Sequence, residues 1–358
     1  MKRTQMISRR SFLQAAAAAA AACSALALTG CGSASPASSA SAASGEASGT
    51  VYKVGVVNYV DDASLNQIVA SLEARLDEAG AERGVTFNYA DYYSNAQADQ
   101  SNLNQIGADL VADDVDVIVA VATPSASTML AAVEDTDIPV IYSAVTDPVG
   151  AGFDGLPNIT GTSDALNTEA IMNLILSINP DLDQLGLLYD LGQDSSTQAI
   201  ADAKAFCDAH GISYIEKNGT NTAEVQMAVE ALAASGVKVV FTPTDNTIMT
   251  AELAIYETMI EAGIQHFTGA DSFALNGAFV GYGVDYVQLG EATADMVEEL
   301  LCDGKTIADM PYRTFDNGTA TINTETCAAL GFDLETVKTA FKPYCTAIEE
   351  LVTAEEFE

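Results

Sequence analysis

Residues 116–127 read Asp116-Val117-Ile118-Val119-Ala120-Val121-Ala122-Thr123-Pro124-Ser125-Ala126-Ser127. The first half is a continuous apolar, β-branched run, the pattern of a strand covered on both faces of a parallel sheet. It breaks at Thr123-Pro124-Ser125 and gives way to Met129, Leu130 and Val133 at helical spacing. Proline suits the first helical position, where its missing N–H costs nothing, and hydroxyl side chains suit the free amides there. A buried strand therefore feeds a helix whose start presents donors to an anion beyond the sheet edge. Taken alone, the stretch also reads as plain helix capping by Thr123 and Ser125.

A second copy follows in Val237-Lys238-Val239-Val240-Phe241-Thr242-Pro243-Thr244-Asp245-Asn246, with Ile248, Leu253, Tyr256 and Ile260 continuing as a helix. Each copy leads to a short strand that ends on an acid, 138–144 before Thr146-Asp147 and 265–269 before Asp271. Strand and helix alternate along nearly the whole chain, which predicts an α/β fold with largely parallel sheets in two related halves. Ligands of open α/β sheets bind at the carboxyl ends of the strands, so two such edges facing each other would make a cleft.

The chain has 358 residues, with 14 Lys and Arg against 50 Asp and Glu and a formal net charge of −36. All four bases of residues 1–30 (Lys2, Arg3, Arg9, Arg10) lie in a stretch without acids, so the remainder has 10 bases against 50 acids, a net −40. Such a surface repels nucleic acid and anionic lipid headgroups, which argues against both as partners. Most of these carboxylates read as a solubilising surface. Beyond residue 31 no apolar run approaches the ~20 residues needed to span a bilayer.

Residues 1–30 read as an export signal and are set aside from the fold. Ser8-Arg9-Arg10-Ser11-Phe12-Leu13 resembles a twin-arginine signal, and Leu28-Thr29-Gly30-Cys31 matches the lipobox of bacterial lipoproteins, with Cys31 as the lipidated residue. Residues 31–50 are almost wholly Gly, Ser, Ala, Pro and Thr, a flexible tether. The expected location is the outer face of the cytoplasmic membrane, held by a lipid anchor. Of the other cysteines, Cys207, Cys302, Cys327 and Cys345 show no metal-ligand spacing. They are expected as free thiols, with a disulfide among the last three left open.

The first half is expected over residues 51–160 plus 284–311 and the second over 161–283 plus 312–358, with residues 149–162 as the first crossover between them. Several crossings make a hinge of parallel connectors. Residues 345–352 are expected to form a terminal helix.

Ala122-Thr123-Pro124, Thr146-Asp147-Pro148-Val149-Gly150-Ala151, Asn158-Ile159-Thr160-Gly161-Thr162-Ser163-Asp164, Pro243-Thr244-Asp245-Asn246 and Tyr282-Gly283-Val284-Asp285-Tyr286 carry a family resemblance. In this order they resemble the substrate-binding proteins of ABC importers, in the branch with tryptophan- and tyrosine-binding members. The resemblance runs from residue 51 to about 340. It implies a type I periplasmic-binding fold, two Rossmann-like lobes closing on one small molecule, with an ABC permease and ATPase as partners and a monomeric receptor. Where the family often has a histidine after the first strand, this chain has Asp61-Asp62.

An α-amino acid needs donors for its carboxylate, an acceptor for its ammonium and a pocket for its side chain. The expected donors are at Ala122, Thr123, Pro124 and Ser125 and at Thr244, Asp245 and Asn246. Asp271 is the first choice for the ammonium, with Asp147 and Asp245 behind it; the competing reading of Asp271 is an N-cap. Asn58, Tyr59 and Thr146 stand at strand ends, and Tyr59, Tyr92, Tyr93 and Tyr189 are candidates for the side-chain pocket. His210 and His266 read as structural. No nucleophile elbow, phosphate loop or dinucleotide fingerprint occurs, so neither catalytic residues, cofactor nor metal are expected. The function expected is capture of an aromatic amino acid for import. A surface lipoprotein that senses its ligand and signals, or a receptor for a sugar or nucleoside, is the alternative.

Overall fold

The computed structural model describes residues 49–315 and 318–354, so the export signal, Cys31 and nearly all of the tether lie outside the described residues. The first lobe is built from β1 (Val51–Asn58), α1 (Ala63–Arg83), β2 (Thr86–Asn88), β3 (Tyr93–Asn95), α2 (Gln100–Ala112), β4 (Val117–Val121), α3 (Thr123–Ala132), β5 (Val140–Ser143) and β6 (Ile159–Ser163). The second carries α4 (Thr168–Ile178), β7 (Gln184–Tyr189), α5 (Asp194–His210), β8 (Ser213–Asn218), α6 (Thr222–Ser235), β9 (Val239–Thr242), α7 (Asn246–Glu261), β10 (Gln265–Thr268), α8 (Asp271–Leu275) and β11 (Val280–Gly283). The chain then returns to the first lobe for α9 (Tyr286–Leu301) and β12 (Arg313–Thr314). It ends in the second with β13 (Thr319–Asn323), α10 (Thr324–Ala329), α11 (Leu334–Phe341) and β14 (Ala347–Leu351).

The first sheet runs β12-β6-β5-β4-β1-β2, with β3 also on β1, and every pairing in it is parallel. The second runs β14-β13-β11-β10-β9-β7-β8, and only β11 with β13 is antiparallel. Parallel pairing brings the carboxyl ends of β1, β4, β5 and β6 to one edge of the first lobe, and those of β7, β9, β10 and β11 to one edge of the second. β4 is buried along its whole length, as its unbroken apolar run requires. One apolar cluster is continuous between the lobes: Leu65, Ala122 and Ala144 belong to it with Ile248, Met249, Ala270 and Phe273.

Local signals set the helix limits. Asp62 caps α1 by accepting from the Ser64 and Leu65 amides, and Gly84 ends it at φ 67°. Left-handed backbone at that position has no steric cost for glycine.

Some sequence expectations change. Ile159–Ser163 is a strand of the first sheet and not a crossover, and β12 also pairs in that sheet, so the limits expected at 160 and 311 fall inside the first lobe. The chain crosses between the sheets after Ser163, after Gly283 and between Thr314 and Thr319. Residues 347–351 form a strand parallel to β13 in place of the expected helix. Ile348 and Leu351 have helix-compatible spacing, but the open edge of β13 supplies a backbone ladder that outweighs it. Exposed Glu349 and Glu350 then charge the new edge against further pairing.

Candidate ligand-binding site

The two sheet edges meet around a small cavity. Its anion-attracting wall is the start of α3. Ala122, the residue between β4 and α3, has φ 73°, a conformation that costs a non-glycine residue of order 1–3 kcal/mol. No side chain caps this helix, and Pro124 brings no N–H. The Thr123 Oγ1 and Ser125 Oγ atoms are buried without any hydrogen-bond partner. A buried hydroxyl left unpaired costs ~1–3 kcal/mol, so two at one helix start mark a place that an outside acceptor completes. Ala144, ending β5 at φ 56°, also lines the cavity, and strained residues of this kind cluster at ligand sites.

Another part of the lining is acidic. Asp62 and Asp164 line the cavity, and Asp271 stands at its rim beside Ala270. Burial pushes the Asp62 and Asp164 carboxyls up to about 6, and burial with the Asp62 charge nearby pushes Asp271 up to about 7. Asp164 accepts from Thr146 Oγ1 at 2.9 Å and from the Tyr286 hydroxyl. Burial, reinforced by these carboxylates, holds the Tyr286 phenol well above its ordinary value. Among the described residues none of these acids is in an ion pair; the arginine and lysine pairs lie elsewhere. Buried carboxylates without a cation call for one from outside.

The rims touch directly. Ser64 Oγ donates to Asp271 Oδ1 at 2.6 Å and accepts from the Ser272 amide at 3.2 Å. Thr146 and Thr244 share a hydrogen bond of 3.0 Å between their hydroxyls, and Tyr59 reaches the Gln193 side chain. The lobes are therefore closed on each other, leaving little more than the room of a water molecule at the centre. Leu65, Met249 and Tyr286 supply an apolar wall.

The structure brings Ala122, Thr123, Thr146, Thr244 and Asn246 to the cavity, with Asp271 at its edge. Asp271 is the first residue of α8 while Ala270 holds the cap position, and its carboxylate turns across the cleft to Ser64. Pro124 sits part-buried in the first turn of α3. Asn58, buried at the end of β1, donates to Asn66 Oδ1 at 3.1 Å and leaves its own Oδ1 unpaired.

Other candidates face elsewhere. Asp147 accepts from the Gly150 amide at 2.8 Å and shapes a turn. Asp245 caps α7 and is consumed by the Asp190 amide and the Ser196 hydroxyl. Tyr189 donates to Glu216 on β8 at 2.5 Å. Tyr93 is exposed, and Tyr92 packs on the outer core of the first lobe. His266 is held between Glu252 at 3.0 Å and Thr242 at 2.8 Å, and His210 sits at the exposed end of α5. Cys207, Cys302, Cys327 and Cys345 are free thiols.

Sequence reasoning missed Asp62, Ser64, Asp164, Tyr286 and Met249. Asp62-Ala63-Ser64 reads as an ordinary helix start, which it also is. Asp164 stands just before α4, where a cap would stand, yet Asn167 caps that helix and Asp164 lines the cavity.

Two parallel-sheet lobes of this topology, crossed repeatedly by the chain and enclosing one site between their edges, make up the type I periplasmic-binding fold. Residues 53–339 match the family described as ABC transporter substrate binding protein, and the chain belongs to that family. It is 29% identical over 282 residues to the tyrosine-binding protein of Clostridioides difficile (strain R20291), covering 77% of this chain and 80% of that one. A solved ABC domain in complex with L-Trp from Streptococcus pneumonia is 26% identical and superposes with a TM-score of 0.74, covering 84% of this chain and all of that one. The ligand-free, open structure of a substrate binding protein with adhesive properties from Clostridium difficile is also 26% identical. It covers 85% of this chain and all of that one with a TM-score of 0.63. Among the described residues no helix is long and apolar enough to cross a membrane.

Proposed function

We propose that this protein is an extracytoplasmic, lipid-anchored receptor that captures an aromatic α-amino acid and delivers it to an ABC permease and ATPase. The observation that carries the reading is the pairing of unlike groups: the unpaired Thr123 hydroxyl lines a cavity that also holds buried carboxylates without a cation, with the unpaired Ser125 hydroxyl in the same first turn of α3. A zwitterion satisfies both. Its carboxylate takes the Thr123 and Ser125 end, its ammonium takes Asp271, and its side chain lies against Leu65, Met249 and Tyr286. The tyrosine-binding and L-Trp-bound relatives support an aromatic side chain.

Closure of the lobes is the proposed mechanism. At equal identity the chain superposes better on the L-Trp-bound domain than on the open, ligand-free protein. Beside the apolar residues that meet between the lobes, the rims are held by single polar contacts at Ser64–Asp271 and Thr146–Thr244 that parting of the lobes would break. An aromatic ligand needs them to part, because the closed gap is too small for it. Ligand that touches both edges then shifts the open–closed balance toward the closed form. The leader and Cys31 support export and anchoring, with the tether keeping the receptor near its permease.

A thermal-shift screen across amino acids, sugars and nucleosides tests the reading. Aromatic amino acids are expected to raise Tm by mass action, about 2.7 kcal/mol at a hundredfold excess over Kd. A rise with sugars or nucleosides alone overturns it.

A further inference from the structure

Asp62 does more than begin a helix. It stands on the first lobe opposite Asp271 on the second, and Ser64, two residues further on, links the two helix starts. Ser64 donates to Asp271 at 2.6 Å; Ser272, next to Asp271, has its amide on Ser64, and its hydroxyl, which donates to Met249 Sδ at 3.1 Å, lies close to Asp62. The starts of α1 and α8 thus confront each other across the cleft with a carboxyl from each between them.

We propose that Asp62 and Asp271 together form the ammonium subsite, that in the empty closed form this pair holds a proton, and that the ligand's ammonium replaces that proton. The inference rests on the amino-acid reading above and names which second residue sets the charge selectivity of the site. The exchange balances: one carboxyl proton leaves to solvent as one ammonium enters, and the charge between the helix starts is unchanged.

The surroundings leave no other cation to do this. Asp164 from the link after β6 and Tyr286 from α9 face the pair, and exposed Glu349 on β14 adds a further like charge from outside. No lysine, arginine or histidine is among them. Burial raises both carboxyls, Asp62 to about 6 and Asp271 to about 7, so the pair is half-titrated near neutral pH. Two like charges in one desolvated place resist being ionised together, and a proton or an ammonium relieves that.

The test is calorimetric titration of the full soluble receptor with L-tyrosine and L-tryptophan between pH 5 and 8, in buffers of different ionisation enthalpy. With wild-type protein near pH 6, binding is expected to release close to one proton, and affinity is expected to fall toward tenfold per pH unit below that. Asp62→Asn keeps a side-chain acceptor for the start of α1. It is expected to weaken binding at pH 8 at least tenfold, to shrink the proton release and to move the fall in affinity to lower pH. A variant that matches wild type in affinity and pH profile overturns the inference while leaving the amino-acid reading intact. So does wild-type binding with no proton release at any pH. Failure of every amino acid to bind at any pH overturns both.

Discussion

Ser125 carries opposite obligations in the empty and the filled receptor. Its buried hydroxyl has no partner in the ligand-free structure, so Ser125→Ala removes an unsatisfied group and is expected to leave the empty protein as stable or more stable by up to ~1 kcal/mol. The same change removes a donor for the ligand carboxylate and is expected to cost ~1.5–3 kcal/mol of affinity, as for hydrogen bonds to charged groups. Denaturant melts and binding isotherms of one variant check both signs; equal loss in both would make Ser125 a packing residue. Asp271 gives a pH-dependent counterpart. Its carboxyl is raised to about 7 in the folded protein against an ordinary value near 3.9, so its stabilising contribution is complete below the latter and is lost as pH rises through the former. The ligand-free protein is expected to lose stability between pH 5 and 8, on the order of 3 kcal/mol of it through Asp271. Asp271→Asn is expected to narrow that loss, read as Tm against pH; an unchanged slope would show that the rest of the acidic surface sets it.

Between elements, close backbone packing holds the first lobe together. Helices α1 and α9 cross so closely that a Cβ at Gly290 would run into the Ile68 carbonyl and the Ser71 hydroxyl. Gly290→Ala is therefore expected to destabilise the first lobe by ~1–3 kcal/mol, measured by chemical denaturation, because backbone cannot yield as a side chain can. Beside that contact, Arg75 bridges Asp295 and Glu298, and Arg83 bridges Glu298 and Asp303. Much of this layer was legible in the sequence. The apolar run of β4 and the hydrophobic face of α1 declare themselves by period, and the Thr-Pro breaks mark both cleft edges. The site was legible only in part, and the reason is physical. Thr123, Thr146, Thr244 and Asn246 sit at strand ends, where one-dimensional reasoning can find them. Asp62 and Asp164 enter the cavity because of how two lobes meet, which no local pattern encodes. Tyr189 and Tyr93 also stand at strand ends, but the first turns to Glu216 on its neighbouring strand and the second faces solvent. The strand 347–351 was hidden for a similar reason, since it exists only because β13 offers it an edge.

The proposed anchor at Cys31 makes a direct expectation: Cys31→Ala should move the protein from the membrane fraction to the soluble one, and unchanged retention would remove the lipid. Opening and closing, as proposed, belong to the same level, since Thr123 and Asp62 stand on the first lobe while Thr244 and Asp271 stand on the second. The central claim is that both ends of an amino acid are gripped at once. It is met most directly by calorimetric titration of the wild-type receptor, at pH 7.5, with L-tyrosine and L-tryptophan beside the amines and the acids that lack one charged end. The account predicts saturable one-to-one binding of at least one of the amino acids, with its decarboxylated and its deaminated counterparts each weaker by about a hundredfold or more, as loss of a charge-assisted hydrogen-bonded end requires. Equal binding of either truncated counterpart would contradict it.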